Sequence, residues 1–289
     1  MSESNKRNFI VHGSILAIAG ILVRIIGMLY RIPVVNIIGS EGNGIYGAAF
    51  NIYNIMLVLS SYGLPMAVSK LVSARFTKRR YKSAAKVLRC SLMVAVCTGG
   101  IAALLVFFGA SFIENVIYGG GLPGLAIPLR ILAPTIFLVA ILGVIRGFFQ
   151  GQSTMIPTAV SQILEQIVNA IVSIAAGYGM MKAFASSPDV AAYGAAGSTL
   201  GTAMGALTAV LFMGFLYAVY TPTFNRLKRK DRHTENQSTG QICKIIIYTM
   251  IPIILGQTFY QISALIDDVM FSNIMIGRDI TKSISMDLG

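Results

Sequence analysis

The sequence predicts an all-α polytopic membrane protein with seven transmembrane helices. Hydrophobic residues make up 55% of its 289 positions and charged residues only 12%, about half the share of a soluble protein. Mean hydropathy is +0.72. A soluble chain of this size could not hide so much apolar surface in one core. The apolar residues are also grouped into segments that reach the roughly 20 residues a spanning helix needs.

Taken in order, the predicted spans are 9–32, 45–72, 87–110, 125–148, 157–183, 193–220 and 244–276. The first follows Lys6 and Arg7 and carries a signal-like Ala17-Ile18-Ala19. Its apolar run continues to Tyr30, too long for the roughly 7–15 residues of a signal-peptide core, so it reads as a retained span. Pro33 and the Gly39–Gly44 stretch divide the first span from the second. Pro65 is placed to kink the second span. Gly119–Gly124, Gly151, Ser186–Asp189 and Thr221–Gly240 separate the remaining ones.

Basic residues set the orientation. One set of loops holds Lys6 and Arg7, then Arg75, Lys78, Arg79, Arg80, Lys82, Lys86 and Arg89. Its last member holds Arg226, Lys228, Arg229, Lys230, Arg232 and Lys244. The opposite loops hold Lys182, Arg278 and Lys282. The richer side belongs in the cytoplasm, so the N-terminus is expected there and Gly289 outside. A net charge of +12 is thereby explained by orientation and contact with anionic membrane lipids. No nucleic-acid motif accompanies it. Trp is absent, so an interfacial aromatic belt would rest on Tyr30, Tyr46, Tyr118, Tyr193 and Tyr220.

Polar groups at membrane depth are costly and therefore informative. In the first span, Gly13, Ala17, Gly20, Arg24, Gly27 and Arg31 form one helical stripe. Its lower half suits close helix packing, and its upper half aims two guanidiniums in one direction. Their planar forks suit phosphate. The fifth span carries Thr158, Gln162, Glu165, Gln166, Asn169 and Ser173. So many hydrogen-bonding groups cannot face lipid and should line a cavity or a helix seam, with Glu165 the natural counter-ion for an arginine across it. The seventh span has Gln257, Gln261 and Asp268 on one face, with Asp267 adjacent. Those two carboxylates suit a counter-ion and a coupling site. Asn51 and Asn54 make the second span polar but uncharged. Arg130 and Arg146 lie near the two ends of the fourth span and read as interfacial. Gly194, Gly197, Gly201 and Gly205 give the sixth span a packing face.

Enzyme chemistry finds little here. The chain has two histidines and no H-E-x-x-H, G-x-S-x-G or phosphate-cradling loop. Cys90, Cys97 and Cys243 lack metal spacing, and the first two read as small packing residues. Asp267 and Asp268 alone are a weak basis for a metal-dependent transferase. No cofactor is expected.

Four stretches carry a family resemblance: RIIGMLYRIPVVNIIG (24–39), YGLPMAVSKLVSARF (62–76), IRGFFQGQ (145–152) and PIILGQTFYQISALIDDVMFS (252–272). In that order they resemble the multidrug/oligosaccharidyl-lipid/polysaccharide exporter superfamily. The likeness is nearest to its stage V sporulation protein B branch and to the related lipid II flippases. The resemblance implies a MATE-like transporter of about fourteen helices, two six-helix lobes plus extra helices, moving lipid-linked oligosaccharide outward by alternating access.

Residues 1–220 would then be the first six-helix lobe, 221–243 a basic cytoplasmic linker, and 244–289 the opening helix of a second lobe. The seventh span has no partner helices of its own, so the sequence is expected to be a fragment whose partner is the missing C-terminal lobe. Arginines of the lipid II flippases bind the pyrophosphate head group, and Arg24 falls on a matching position. Arg31 sits one residue past the second, where Tyr30 stands. The second-helix basic pair of those flippases is replaced by the stretch after Asn51 and Asn54, which favours the sporulation-protein branch.

Arg24, Arg31, Asn51, Asn54, Gln162, Glu165, Asn169, Gln257 and Gln261 are therefore the candidate substrate-binding residues. Asp267, Asp268 and Glu165 are the candidate coupling or counter-ion groups. The expected partners are a polyprenyl-pyrophosphate-linked sugar, a peptidoglycan precursor being one such, and membrane lipids, in a bacterial cytoplasmic membrane. Two other functions compete. A cation-coupled drug antiporter would use the carboxylates, and an envelope-assembly scaffold would transport nothing.

Overall fold

A computed structural model describes the backbone of residues 3–232 and 237–277. Side chains are described for 14–232 and 237–259, and for Ile262, Ile266, Val269 and Met270. The described residues are all helix and turn. Helix α1 runs Glu3–Ser60, α2 Leu64–Thr77, α3 Tyr81–Phe112, α4 Ala126–Gly151, α5 Ile156–Ala183, α6 Val190–Lys230 and α7 Thr239–Gly277. A π-turn, Ile113–Ile117, ends α3.

Six stretches of the described residues are long and apolar enough to cross a membrane. The first, Ser14–Thr77, has 64 residues, roughly 96 Å of helix at 1.5 Å per residue. That is ample for two crossings of a hydrocarbon core about 30 Å thick. The chain is a multi-pass membrane protein, and its helix count agrees with seven spans.

The first two spans meet differently from expectation. Pro33 lies inside the helix, and the break comes at Gly39 alone, with φ 70° and ψ −177°. That backbone region is essentially open only to glycine. The expected loop is a kink. The second span is in turn cut where Pro65 predicts a bend: α1 stops at Ser60, and α2 starts with Pro65 in its first turn. The Leu64 N–H turns to Ser61 O at 3.0 Å. The Ser60 carbonyl, which a continuous helix would pair with Leu64, accepts instead from Thr98 Oγ1 at 2.8 Å. Helix α6 also outruns its predicted end, passing through Pro222 to Lys230.

Glycines decide which helices touch. The α6 glycines face α5, the most extensive helix pair in the fold. A Cβ on Gly205 would lie 2.6 Å from Glu165 O, and one on Gly197 would overlap the Ala176 backbone. On α4, a Cβ on Gly147 would lie 2.6 Å from Pro65 O. Gly151 meets Val72 in the same way, so IRGFFQGQ is in part a seam with α2. The lower stripe of α1 behaves otherwise. Ala17 is exposed and the space beside Gly20 is open, whereas a Cβ on Gly27 would meet Gln166 of α5.

Two apolar cores lie along the bundle. One gathers the second half of α1, the end of α3, the 118–125 loop and the start of α4. The other gathers α2, the start of α3, the end of α4, α6 and the start of α7. At its centre Phe148 meets Phe224 edge to face at 5.3 Å, and Phe76 stacks on Phe224 at 6.0 Å.

The five tyrosines expected at the interface are largely engaged in packing. Tyr118 and Tyr46 are buried, and Tyr30 is half-buried in a helix seam. Tyr193 stacks on Phe184 at 4.0 Å, and Tyr220 joins the Phe148 cluster. Cys90 is buried as expected, whereas Cys97 is exposed.

Candidate functional site

The polar stripe of α5 divides among three neighbours. Ser173 and Asn169 face α6 and α1. Ser173 Oγ is 2.8 Å from Ser198 O and 2.9 Å from Asn169 Oδ1. Thr202 Oγ1 approaches the same Asn169 oxygen at 3.4 Å, and Asn169 Nδ2 donates to Tyr30 Oη at 3.2 Å. Asn169 is buried and spends its amide on this seam. Gln166 sits against α1, where a Cβ on Gly27 would meet its amide nitrogen at 3.1 Å. Gly27 of the α1 stripe, and Tyr30 outside it, thus lie on the polar face of α5.

Glu165 turns to α4. Its Oε2 accepts from Arg146 Nη2 at 2.7 Å, while Arg146 Nε donates to Ser161 Oγ at 2.9 Å. The side chains are 14% and 26% exposed. Buried Tyr53, from the second half of α1, lies in the electrostatic reach of Glu165. The expected arginine across from Glu165 is therefore Arg146. Gly143, Gly147 and Gly151 press α4 onto α2, and Arg146, near the end of α4, turns its side chain toward α5. Arg130 is exposed, with Nη2 donating to Ser111 Oγ at 2.9 Å.

Arg24 and Arg31 are exposed. Arg31 Nη2 reaches Asn43 Oδ1 at 3.4 Å, and its guanidinium carbon lies 5.2 Å from the Tyr46 ring centre. Asn51, Asn54, Gln162 and Gln257 are half-buried. Gln261, Asp267 and Asp268 lie outside the residues whose side chains are described. The hydrogen-bonded wall of α5 thus meets α1 through Gly27 and Tyr30, while Arg31 contacts Asn43 and Tyr46 of α1 itself. An exposed guanidinium can hold an anion through paired hydrogen bonds. Among the described residues, no group of three or more His, Cys, Asp or Glu could hold a metal ion.

Sequence reasoning passed over Lys70. It lines an opening of about 640 Å³ between α2 and α7, with Met66, Tyr248, Thr249 and Pro252. Its position five residues past Pro65, inside an apolar stretch, was the available signal.

A family model described as polysaccharide biosynthesis protein matches residues 10–280. Among curated proteins, the chain is 34% identical over 176 residues to the lipid II flippase MurJ of Bacillus subtilis (strain 168). That alignment covers 59% of this chain and 32% of the relative. It is 30% identical over 210 residues to the stage V sporulation protein B of the same organism, covering 72% and 39%. The chain thus spans well under two thirds of either relative.

Among solved structures, a multidrug resistance MATE family transporter of the MOP superfamily, in an outward-facing conformation, superposes with a TM-score of 0.66. The match covers 94% of this chain and 62% of the other at 17% identity. The fold is shared.

Proposed function

The chain belongs to the polysaccharide biosynthesis protein family, and on that premise we propose that it exports a lipid-linked oligosaccharide across the bacterial cytoplasmic membrane. Residues 1–220 act as one lobe, 221–243 as a cytoplasmic linker and 244–289 as the opening of a second lobe. The N-terminus lies in the cytoplasm. A polyprenyl-pyrophosphate head enters an inward-open cavity and meets Arg24, with Arg31 further along the path. Asn51, Asn54, Gln162, Gln257 and Gln261 hydrogen-bond the sugars, and Asn169 holds Tyr30 in the wall. The tail stays in the bilayer while the lobes rock.

The observation that carries this reading is the seam of α1 with α5. Gly27 lies against Gln166 and Tyr30 bonds Asn169, while Arg24, one turn before Gly27, is exposed. An arginine kept at membrane depth beside a polar helix is expensive unless an anion visits it. Native mass spectrometry of the protein with a polyprenyl-pyrophosphate sugar tests the assignment. Wild type should retain the lipid and Arg24→Ala should lose it; equal retention by both would remove Arg24 from the site.

A cation-coupled antiporter is the second reading, and the MATE-like fold supports it. It would rest on Asp267, Asp268 and Glu165. The ion pair of Glu165 with Arg146 counts against it, since a carboxylate so engaged is a poor free cation site. Binding of a hydrophobic cationic dye that ignores Arg24→Ala but is lost in Asp268→Asn would favour this alternative.

A further inference from the structure

The basic end of the bundle holds a second cavity, lined by no residue of α1 or α5. Helix α3 carries Lys82, Lys86 and Arg89 in its first turns, and Lys228 comes across from the end of α6. With Cys90 and Met93 they line a hollow of about 430 Å³. Positions 82, 86, 89 and 93 follow helical spacing and share one face.

The four cations crowd one hollow. Lys82, in the first turn of α3, also opposes the positive end of that helix's dipole, whereas Lys228 sits favourably in the last turn of α6. Asp231, buried at the end of α6, accepts the Lys82 backbone N–H at 2.8 Å, which caps the helix but leaves the ammonium groups in place. Lys86 Nζ donates to Gln237 O, and Lys228 Nζ lies 5.2 Å from the Phe224 ring centre.

The hollow opens onto an apolar surface. Along the same helix Met93 and Val96 are about half exposed and Leu104 more so, at 49%, 46% and 58%. A cationic mouth above an apolar helix face matches a phosphate head with an acyl chain beneath it. A soluble phosphate would leave that apolar face unused.

We propose that the Lys82, Lys86, Arg89 and Lys228 hollow seats the head group of one anionic phospholipid, with its chain lying along α3. The site is a defined seat, distinct from diffuse attraction of basic loops to a charged surface, which each loop cation contributes whatever its position. It spans the ends of α3 and α6 and the start of α7, because Thr239 also lines it. The bound lipid thus ties together the three elements around the 231–238 connection.

The test is retention of phosphatidylglycerol or phosphatidylcholine by the detergent-purified protein in native mass spectrometry. Four forms are compared: wild type, Lys86→Gln with Arg89→Gln, Lys86→Arg with Arg89→Lys, and Lys78→Gln with Arg226→Gln. The last pair removes the same charge from positions at the same end that do not line the hollow. Phosphatidylglycerol retention should fall about tenfold or more in the first double variant. It should stay near wild type in the charge-retaining variant and in the variant outside the hollow, and excess inorganic phosphate should not displace it. Equal losses in both neutralising variants would mean diffuse charge and overturn the seat. Displacement by inorganic phosphate would mean a soluble-anion site and overturn the lipid assignment. Loss in the charge-retaining variant, with unchanged melting, would also contradict it.

Discussion

Arg146 of α4 and Glu165 of α5 form an ion pair of 2.7 Å inside the helical bundle, with Ser161 Oγ accepting from Arg146 Nε. It links the helix that packs on α2 to the helix that packs on α1 and α6. Removing one partner leaves a charge without its counter-ion in surroundings that solvate it poorly.

Arg146→Met or Glu165→Gln alone should therefore destabilise the protein by about 2–3 kcal/mol, below a fully buried pair because both groups keep some exposure. The double variant should recover at least half of that loss. Thermal unfolding in detergent reads the cycle. Additive losses would mean that the pair contributes no coupling.

Gly205→Ala should cost about 1–3 kcal/mol, since its Cβ would lie 2.6 Å from Glu165 O, a backbone atom that cannot swing aside. Gly214→Ala, where nothing lies within 4 Å, should be neutral or slightly stabilising. Melting temperatures of the two variants make the comparison, and equal effects would contradict the close approach of α5 and α6.

Tyr30→Phe should cost about 1 kcal/mol through the lost hydrogen bond from Asn169. Asn169→Ala should cost more, because Ser173 and Thr202 lose their shared acceptor as well. Denaturant or thermal midpoints would reveal the order, and a reversed order would show that the seam depends on Tyr30 rather than Asn169.

An anionic head moving outward from a negative interior gains about 2.3 kcal/mol per charge per 100 mV. Collapsing the membrane potential in proteoliposomes should slow outward transport of the lipid-linked sugar. An unchanged rate would uncouple transport from the potential.

Much of this architecture is legible in the sequence because a bilayer imposes a length and a polarity on each helix. The α6 glycines could be read as a packing face for the same reason: their spacing alone puts them in one row. The α1–α2 region was less legible. Pro33 and Gly39 look alike as breakers, yet a helix tolerates a proline when neighbours re-satisfy one carbonyl, whereas a positive φ at Gly39 ends it. Arg146 was harder still. Its place near a span end says nothing of which neighbour it faces, and only the packing of Gly143, Gly147 and Gly151 on α2 turns its side chain toward Glu165. The extension of α6 to Lys230 escaped notice because hydropathy falls where the helix leaves the apolar region, while the backbone pattern continues.

The central claim is that this protein moves an anionic lipid-linked sugar through a path that begins at Arg24. The most direct measurement is outward translocation of a fluorescent polyprenyl-pyrophosphate sugar in proteoliposomes, comparing wild type, Arg24→Ala and Arg24→Lys. We expect transport by wild type, a loss of about a hundredfold in Arg24→Ala, and partial retention in Arg24→Lys, because the charge remains but the planar fork is gone. Wild-type rates in Arg24→Ala, or a wild type that moves a cationic dye and not the lipid, would contradict the account.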